Sequence, residues 1–242
     1  VINPGVFLGV LVQLALLGGL DAVVGLGPLG WIAGAVYGVA VGGFLTYGLN
    51  RSTARSLGPA DAVTLGRSAL VGCVTALVVD TAGREIAAMV VIASVALALD
   101  AVDGQVARRT GTVSPLGARF DMEVDAYLIL ILSVTVAQSL GPWVLTIGAM
   151  RYVFVAASRL WPWLNNPLPS SMARKTVAAV QGIVLVTAAS TLLPLWTAYA
   201  VTLGALGLLT WSFGRDTWWL LEQHAFSTAP VEPRRRVTAD VA

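Results

Sequence analysis

Charge is scarce in this chain of 242 residues, only 12% of which are Asp, Glu, Lys or Arg. A soluble domain carries about 25%, so a fold whose whole surface meets water is excluded. Cysteine is scarcer still. Cys73 stands alone, which rules out an internal disulfide and any metal centre built on thiolates, and in its apolar run it reads as a small buried hydrophobe. One lysine, Lys175, and one histidine, His224, leave ionic chemistry to arginine and the acids, and His224, in a Trp-rich interfacial stretch, is given no catalytic role. A net charge of +2 is too small for a nucleic-acid surface, so no nucleic-acid partner is expected. No basic stretch leading into a short apolar core and a cleavage site opens the chain. The first apolar run is therefore expected to be a membrane helix, not a removed signal peptide. No internal repeat is evident, which weighs against a transporter built from repeated halves.

Apolar sequence is what the chain has in abundance, at 57% of residues. Runs near 6–25, 29–49, 63–81, 85–103, 121–141, 143–163, 175–194 and 196–214 each approach the roughly 20 residues a spanning helix needs. Pro28, Gly141-Pro142 and Leu193-Pro194 mark three of the joints. The expected fold is an all-α integral membrane protein of about eight transmembrane helices. Basic residues fall in alternate connections: Arg51, Arg55 and Arg67; Arg108, Arg109 and Arg119; Arg159, Arg174 and Lys175; Arg215 and Arg234 to Arg236. Only Arg84 falls on the other side. The positive-inside rule then puts both termini in the cytoplasm, together with the polar segment after the fourth run. Arginine dominating lysine suggests a bacterial gene, and hence a bacterial inner membrane.

That segment, DAVDGQVARRTGTVSPLGARFDMEVD from Asp100 to Asp125, holds four aspartates where long apolar runs converge. Asp100 and Asp103 are three apart and Asp121 and Asp125 four apart, so on helices each pair shares one face. Two such faces together make a four-carboxylate pocket, which would repel itself unless hard divalent cations such as Mg²⁺ or Mn²⁺ neutralised it. By intramembrane charge alone a metal-ion or proton transporter is a rival class, but these acids cluster at one end of the spans and form no relay across them.

Asp100, Asp103, Gly104, Ala107, Arg108, Gly117, Asp121 and Asp125 also fill every position of D-x-x-D-G-x-x-A-R, eight residues, then G-x-x-x-D-x-x-x-D. The pattern resembles the signature of the CDP-alcohol phosphotransferases, membrane enzymes of phospholipid synthesis. That resemblance implies a six-helix catalytic core over residues 51–226, preceded by two extra helices in 1–50; by composition 227–242, Pro-rich with three consecutive arginines, reads as a disordered cytoplasmic tail. The resemblance also implies two Mg²⁺ or Mn²⁺ ions on Asp100, Asp103, Asp121 and Asp125, with Asp125 as general base. Asp100, Gly104, Ala107, Arg108 and Gly117 would surround the CDP group, the glycines allowing close backbone approach. The reaction implied is transfer of a phosphatidyl group from CDP-diacylglycerol to a small alcohol with release of CMP, in a membrane lipid setting and commonly in a homodimer. A member of the family whose extra helices serve assembly, with little catalysis, is a further alternative, against which the complete motif argues.

Outside the motif, the stretch GPADAVTLGR is similar to the Pro-Asn-x-x-T-x-x-R-like opening of related cores, with Asp61 in place of asparagine. Its plain reading is a connection leading into a helix capped by Asp61. Arg151 lies within an apolar run, where an arginine usually faces a polar cavity or a partner. Its plain reading is a pairing with a motif aspartate, with Arg159 reaching to the interface. RYVFVAASR also resembles an element of phosphatidylglycerophosphate synthases, and Arg174, Lys175 and Gln181 loosely match another, which points Arg151, Arg159, Arg174 and Lys175 at an acceptor phosphate. Glycerol-3-phosphate is the first expected acceptor and inositol phosphate the second. Glu123, Arg109 and Arg119 read as solvated or interfacial residues.

Overall fold

The structure, a computed structural model, describes residues 4–51, 59–81, 86–110, 114–169 and 171–228. Among them are eight α helices and no strand: α1 (Pro4–Val24), α2 (Pro28–Arg51), α3 (Pro59–Thr81), α4 (Ile86–Thr110), α5 (Pro115–Leu140), α6 (Leu145–Leu160), α7 (Met172–Ala189) and α8 (Leu195–Thr228). Six stretches, in α1, α2, α3, α7, α8 and in α6 taken with the 3-10 turn before it (Pro142–Leu160), are long and apolar enough to cross a membrane. The apolar part of α4, Ile86–Asp100, is shorter, because its last turns carry the acidic motif. At about 1.5 Å per residue the 25 residues of α4 still exceed the roughly 30 Å hydrocarbon thickness. The protein is a multi-pass, all-helical membrane protein.

Several boundaries differ from the hydropathy reading, because a helix need not stop where the membrane does. The fourth run, expected to end at 103, continues as α4 to Thr110, and the fifth, expected from 121, begins as α5 at Pro115, so most of the expected connection is helical. The eighth, expected to end at 214, continues to Thr228, placing Ser227 and Thr228 in the helix and not in a tail. The sixth is trimmed by 3-10 turns at Pro142–Val144 and Pro162–Asn165, each opened by a proline that lacks the N–H a longer helix would use. His224 therefore lies inside α8, where its ring stacks on Trp163 at 5.8 Å. Arg55, Arg84, Arg234 to Arg236 and the rest of 229–242, on which parts of the topology and tail expectations rest, lie outside the described residues.

The core forms where α3 and α5 pack against their neighbours, with Val71, Val74, Leu77, Leu128, Leu132 and Val136 almost wholly buried. Since lipid tails are as apolar as leucine, association depends on close packing of small residues. Gly148 is one such residue: a Cβ there would lie 2.5 Å from the Leu130 Cα, so α6 crosses α5 nearly backbone to backbone.

The two N-terminal helices are fitted into this core. Leu17 of α1 is fully buried where Gly34 of α2 and Ala76 of α3 leave room for it. The Asp80 carboxylate, at the end of α3, accepts hydrogen bonds from the backbone N–H groups of Gly27 and Gly30 at 2.7 and 3.2 Å. A negative charge at the start of α2 suits both the unpaired N–H groups and the helix dipole. Tyr37 packs on Tyr127 with ring centroids 4.8 Å apart, and Phe44 on Phe120 at 6.2 Å, so α2 touches the face of α5 on either side of the motif.

Candidate active site

The site begins with the start of α5. Ser114, in extended conformation, accepts a hydrogen bond from the Gly117 N–H at 2.8 Å, and Pro115 takes the first helical position. This cap fixes the register that sends Asp121 and Asp125, one turn apart, to the same face. Asp100 arrives from α4. Carboxylate oxygens of Asp100, Asp121 and Asp125 all lie within 4.8 Å of one another. Asp103, Gly104, Ala107 and Arg108 are helical residues of α4, but their side chains lie outside the described ones.

At the centre of these three carboxylates stands Arg67 of α3. One of its terminal nitrogens, Nη1, donates to Asp100 and, at 2.7 Å, to Asp125, and the other, Nη2, donates to Asp121. Arg67 is 1% exposed, against 40%, 39% and 33% for the side chains of Asp100, Asp121 and Asp125. The guanidinium is thus the floor of the cluster, and the acids open on its other side. Arg67 does not belong to a basic connection: it sits just over two turns inside α3 and is buried. The signal was present in its position as the final residue of the T-x-x-R element, and in its placement within the third apolar run.

Asp61 also differs from expectation. It lies in the first turn of α3 rather than at its cap, buried against the start of α5. A Cβ on Gly117 would collide with the Asp61 carboxylate and lie 2.9 Å from the Ser114 Oγ. The missing side chain of Gly117 is therefore required by the protein's own packing.

Beside the acids a half-open cavity of about 510 Å³ is lined by α5, α6, α7 and α8. Its polar lining consists of Asp125, Arg151, Arg174, Gln181, Ser212 and Asp216, and the remainder is apolar. Among the described residues Arg151 pairs with no motif aspartate. It donates to Glu123, making that residue an ion-pair partner and not merely a solvated one. Arg174 donates to Asp216 at 3.4 Å and to the Pro169 carbonyl. Gln181 is fully buried, its Nε2 donating to the Ala205 carbonyl at 2.9 Å, while its Oε1 has no hydrogen-bond partner among the described residues. Arg159 and Lys175 are exposed and are not among the lining residues. The structure brings Arg151 and Arg174 to the cavity beside Asp125, and leaves Arg159 and Lys175 outside it.

Clustered carboxylates are hard oxygen donors of the kind Mg²⁺ and Mn²⁺ prefer, and their partial exposure leaves a cation a way in, so the residues present fit such an ion. An all-helical membrane protein with an acidic cluster at the edge of an open cavity is the class that fold and site define. A family model described as CDP-alcohol phosphatidyltransferase matches residues 58–212, well over half of the chain, and the chain belongs to that family of transferases of phospholipid synthesis. The family is one that uses divalent metals. No curated protein and no solved structure matches the chain.

Proposed function

We propose that this protein transfers the phosphatidyl group of CDP-diacylglycerol to an alcohol acceptor, releasing CMP, at the aspartate cluster. The observation that carries this reading is the position of Asp125, which belongs to the acidic cluster and also lines the cavity. In the reaction the acceptor oxygen attacks the phosphorus attached to the lipid, the bond from that phosphorus to the CMP oxygen breaks, and CMP departs with the electron pair. Asp125 takes the proton of the attacking hydroxyl. Divalent cations on Asp100, Asp103, Asp121 and Asp125 would, when bound, offset the charge on the phosphoryl oxygens. Gly104, Ala107, Arg108 and Gly117, with Asp100, hold the CDP moiety. The catalytic core spans 51–226, a reading supported by the family match over 58–212, with 1–50 an added pair of helices and 227–242 a terminal extension.

The acceptor we put first is a phosphorylated alcohol, glycerol-3-phosphate before inositol phosphate. Support comes from Arg151 and Arg174 in the cavity lining, each guanidinium having five N–H donors, more than its acidic partner occupies. Arg159 and Lys175 would act from outside the cavity. A second reading, an uncharged alcohol, is favoured by the Glu123 pairing, which already balances Arg151, and by Asp216, which Arg174 shares with Arg215. CMP release across glycerol-3-phosphate, inositol phosphate, inositol, serine and phosphatidylglycerol tests both. With a phosphorylated acceptor, Arg151→Ala and Arg174→Ala should raise the acceptor KM about tenfold or more, and leave that of CDP-diacylglycerol nearly unchanged. Preference for an uncharged alcohol would retire the phosphate assignment and keep the transferase. Failure of every acceptor to release CMP would retire both.

The active site faces the cytoplasm in this reading, because most basic residues of the sequence fall in or next to alternate connections between the helices. Labelling of single cysteines at positions 110 and 168 in a Cys73-free background should report both on the cytoplasmic side. Finding position 110 outside would remove access to a nucleotide substrate.

A further inference from the structure

We infer that Arg67 is the positioning residue of the aspartate site, a buried counter-ion that fixes three carboxylates in place and tempers their hold on divalent cations. The inference rests on the reading of the cluster as a cation site, and adds a role that the motif does not contain.

An arginine inside an apolar helix is costly to keep, and one that is 1% exposed reaches water poorly. Its guanidinium is held by acids from two other helices, 33, 54 and 58 positions away in the chain. A planar fork suits this task. Two nitrogens reach three carboxylates from one side, and the spacing of the fork sets the spacing of the acids. Without that charge the three carboxylates would repel one another, and each would adopt whichever rotamer separated it from its neighbours.

The charge has a second consequence. Four motif aspartates carry −4, and Arg67 brings the sum to −3. Two divalent cations then leave the loaded site at +1, which favours an anionic pyrophosphate. Removing the arginine returns that sum to zero and exposes the cations to one more uncompensated negative charge. At about 4–5 Å, even at the dielectric constant of water, one additional charge strengthens attraction for a divalent ion about tenfold or more. Arg67 therefore keeps its site organised at the expense of raw cation affinity.

The test uses the full chain in lipid nanodiscs, without substrate, with Mn²⁺ binding followed by the electron paramagnetic resonance of free Mn²⁺. CMP release is measured separately, and size-exclusion profile and Tm report folding. Arg67→Gln is expected to bind Mn²⁺ about tenfold more tightly than the parent protein, while CMP release falls about 10²-fold because the acids are no longer held. Arg67→Lys keeps the charge without the fork, so Mn²⁺ affinity should stay within about threefold of the parent while turnover still falls. A purely structural arginine would lower Tm and leave Mn²⁺ affinity unmoved. Arg67→Gln binding Mn²⁺ no more tightly than the parent overturns the inference, and so does Arg67→Lys turning over normally. If Arg67→Gln does not fold, Arg67→Lys alone decides by the same criterion. Absence of Mn²⁺ binding in the parent protein would instead sink the cation site itself.

Discussion

Replacing Asp125 with asparagine is expected to reduce CMP release from CDP-diacylglycerol by at least about 10²-fold, the usual loss for a general base or an electrostatic contact at the reacting centre. Asparagine keeps the shape of the side chain and its place beside Arg67, but it neither takes a proton at neutral pH nor supplies the charge. Asp100→Asn and Asp121→Asn should fall by a similar factor, since each removes one of the three carboxylates that converge within 4.8 Å. Chelation should do the same to the parent protein, with activity restored by Mg²⁺ or Mn²⁺. The variants should remain folded, because all three carboxylates are a third or more exposed and amides there still accept from Arg67. Near-normal turnover of Asp125→Asn, or turnover in the presence of chelator, would discard the mechanism.

Deleting residues 1–50 is expected to leave a core that does not hold its site. In a membrane the loss is not apolar area, which lipid tails would cover, but interlocking and polar satisfaction. Gly9 of α1 admits Leu65, two positions before Arg67, and a Cβ at Gly9 would lie 2.6 Å from that side chain. Without the hairpin, Asp80 loses both backbone donors at the start of α2 while remaining at the end of α3. Tyr127 and Phe120, which bracket Asp121 and Asp125, lose the rings of Tyr37 and Phe44. Together these losses should cost roughly 3–5 kcal/mol, or a Tm lower by about 10 °C or more, and CMP release should fall more than about tenfold because α3 and α5 carry the site. A truncated chain with parental Tm and turnover would show that the hairpin only accompanies the core.

Much of this protein is determined by its sequence alone. Membrane helices are written locally, since about 20 apolar residues in a row have few other stable fates, and all eight runs correspond to helices. The aspartate motif is legible for a similar reason: fixed spacing within two short stretches puts Asp121 and Asp125 on one helical face whatever the rest of the chain does.

Partner choice was decided only by tertiary structure. Arg67 meets acids 33, 54 and 58 positions away, Arg151 meets Glu123 across 28, and Arg174 meets Asp216 across 42. Each pairing depends on how one helix is rotated about its axis against another, and no periodicity within a single segment carries that angle. For the same reason Arg151 and Arg174 came to the cavity while Arg159 and Lys175 did not. The fit of α1 and α2 against α3 and α5 was equally hidden, because glycines such as Gly9 and Gly34 look unremarkable in an apolar run. Their meaning appears when Leu65 and Leu17 from other helices fill the space that a side chain would have occupied.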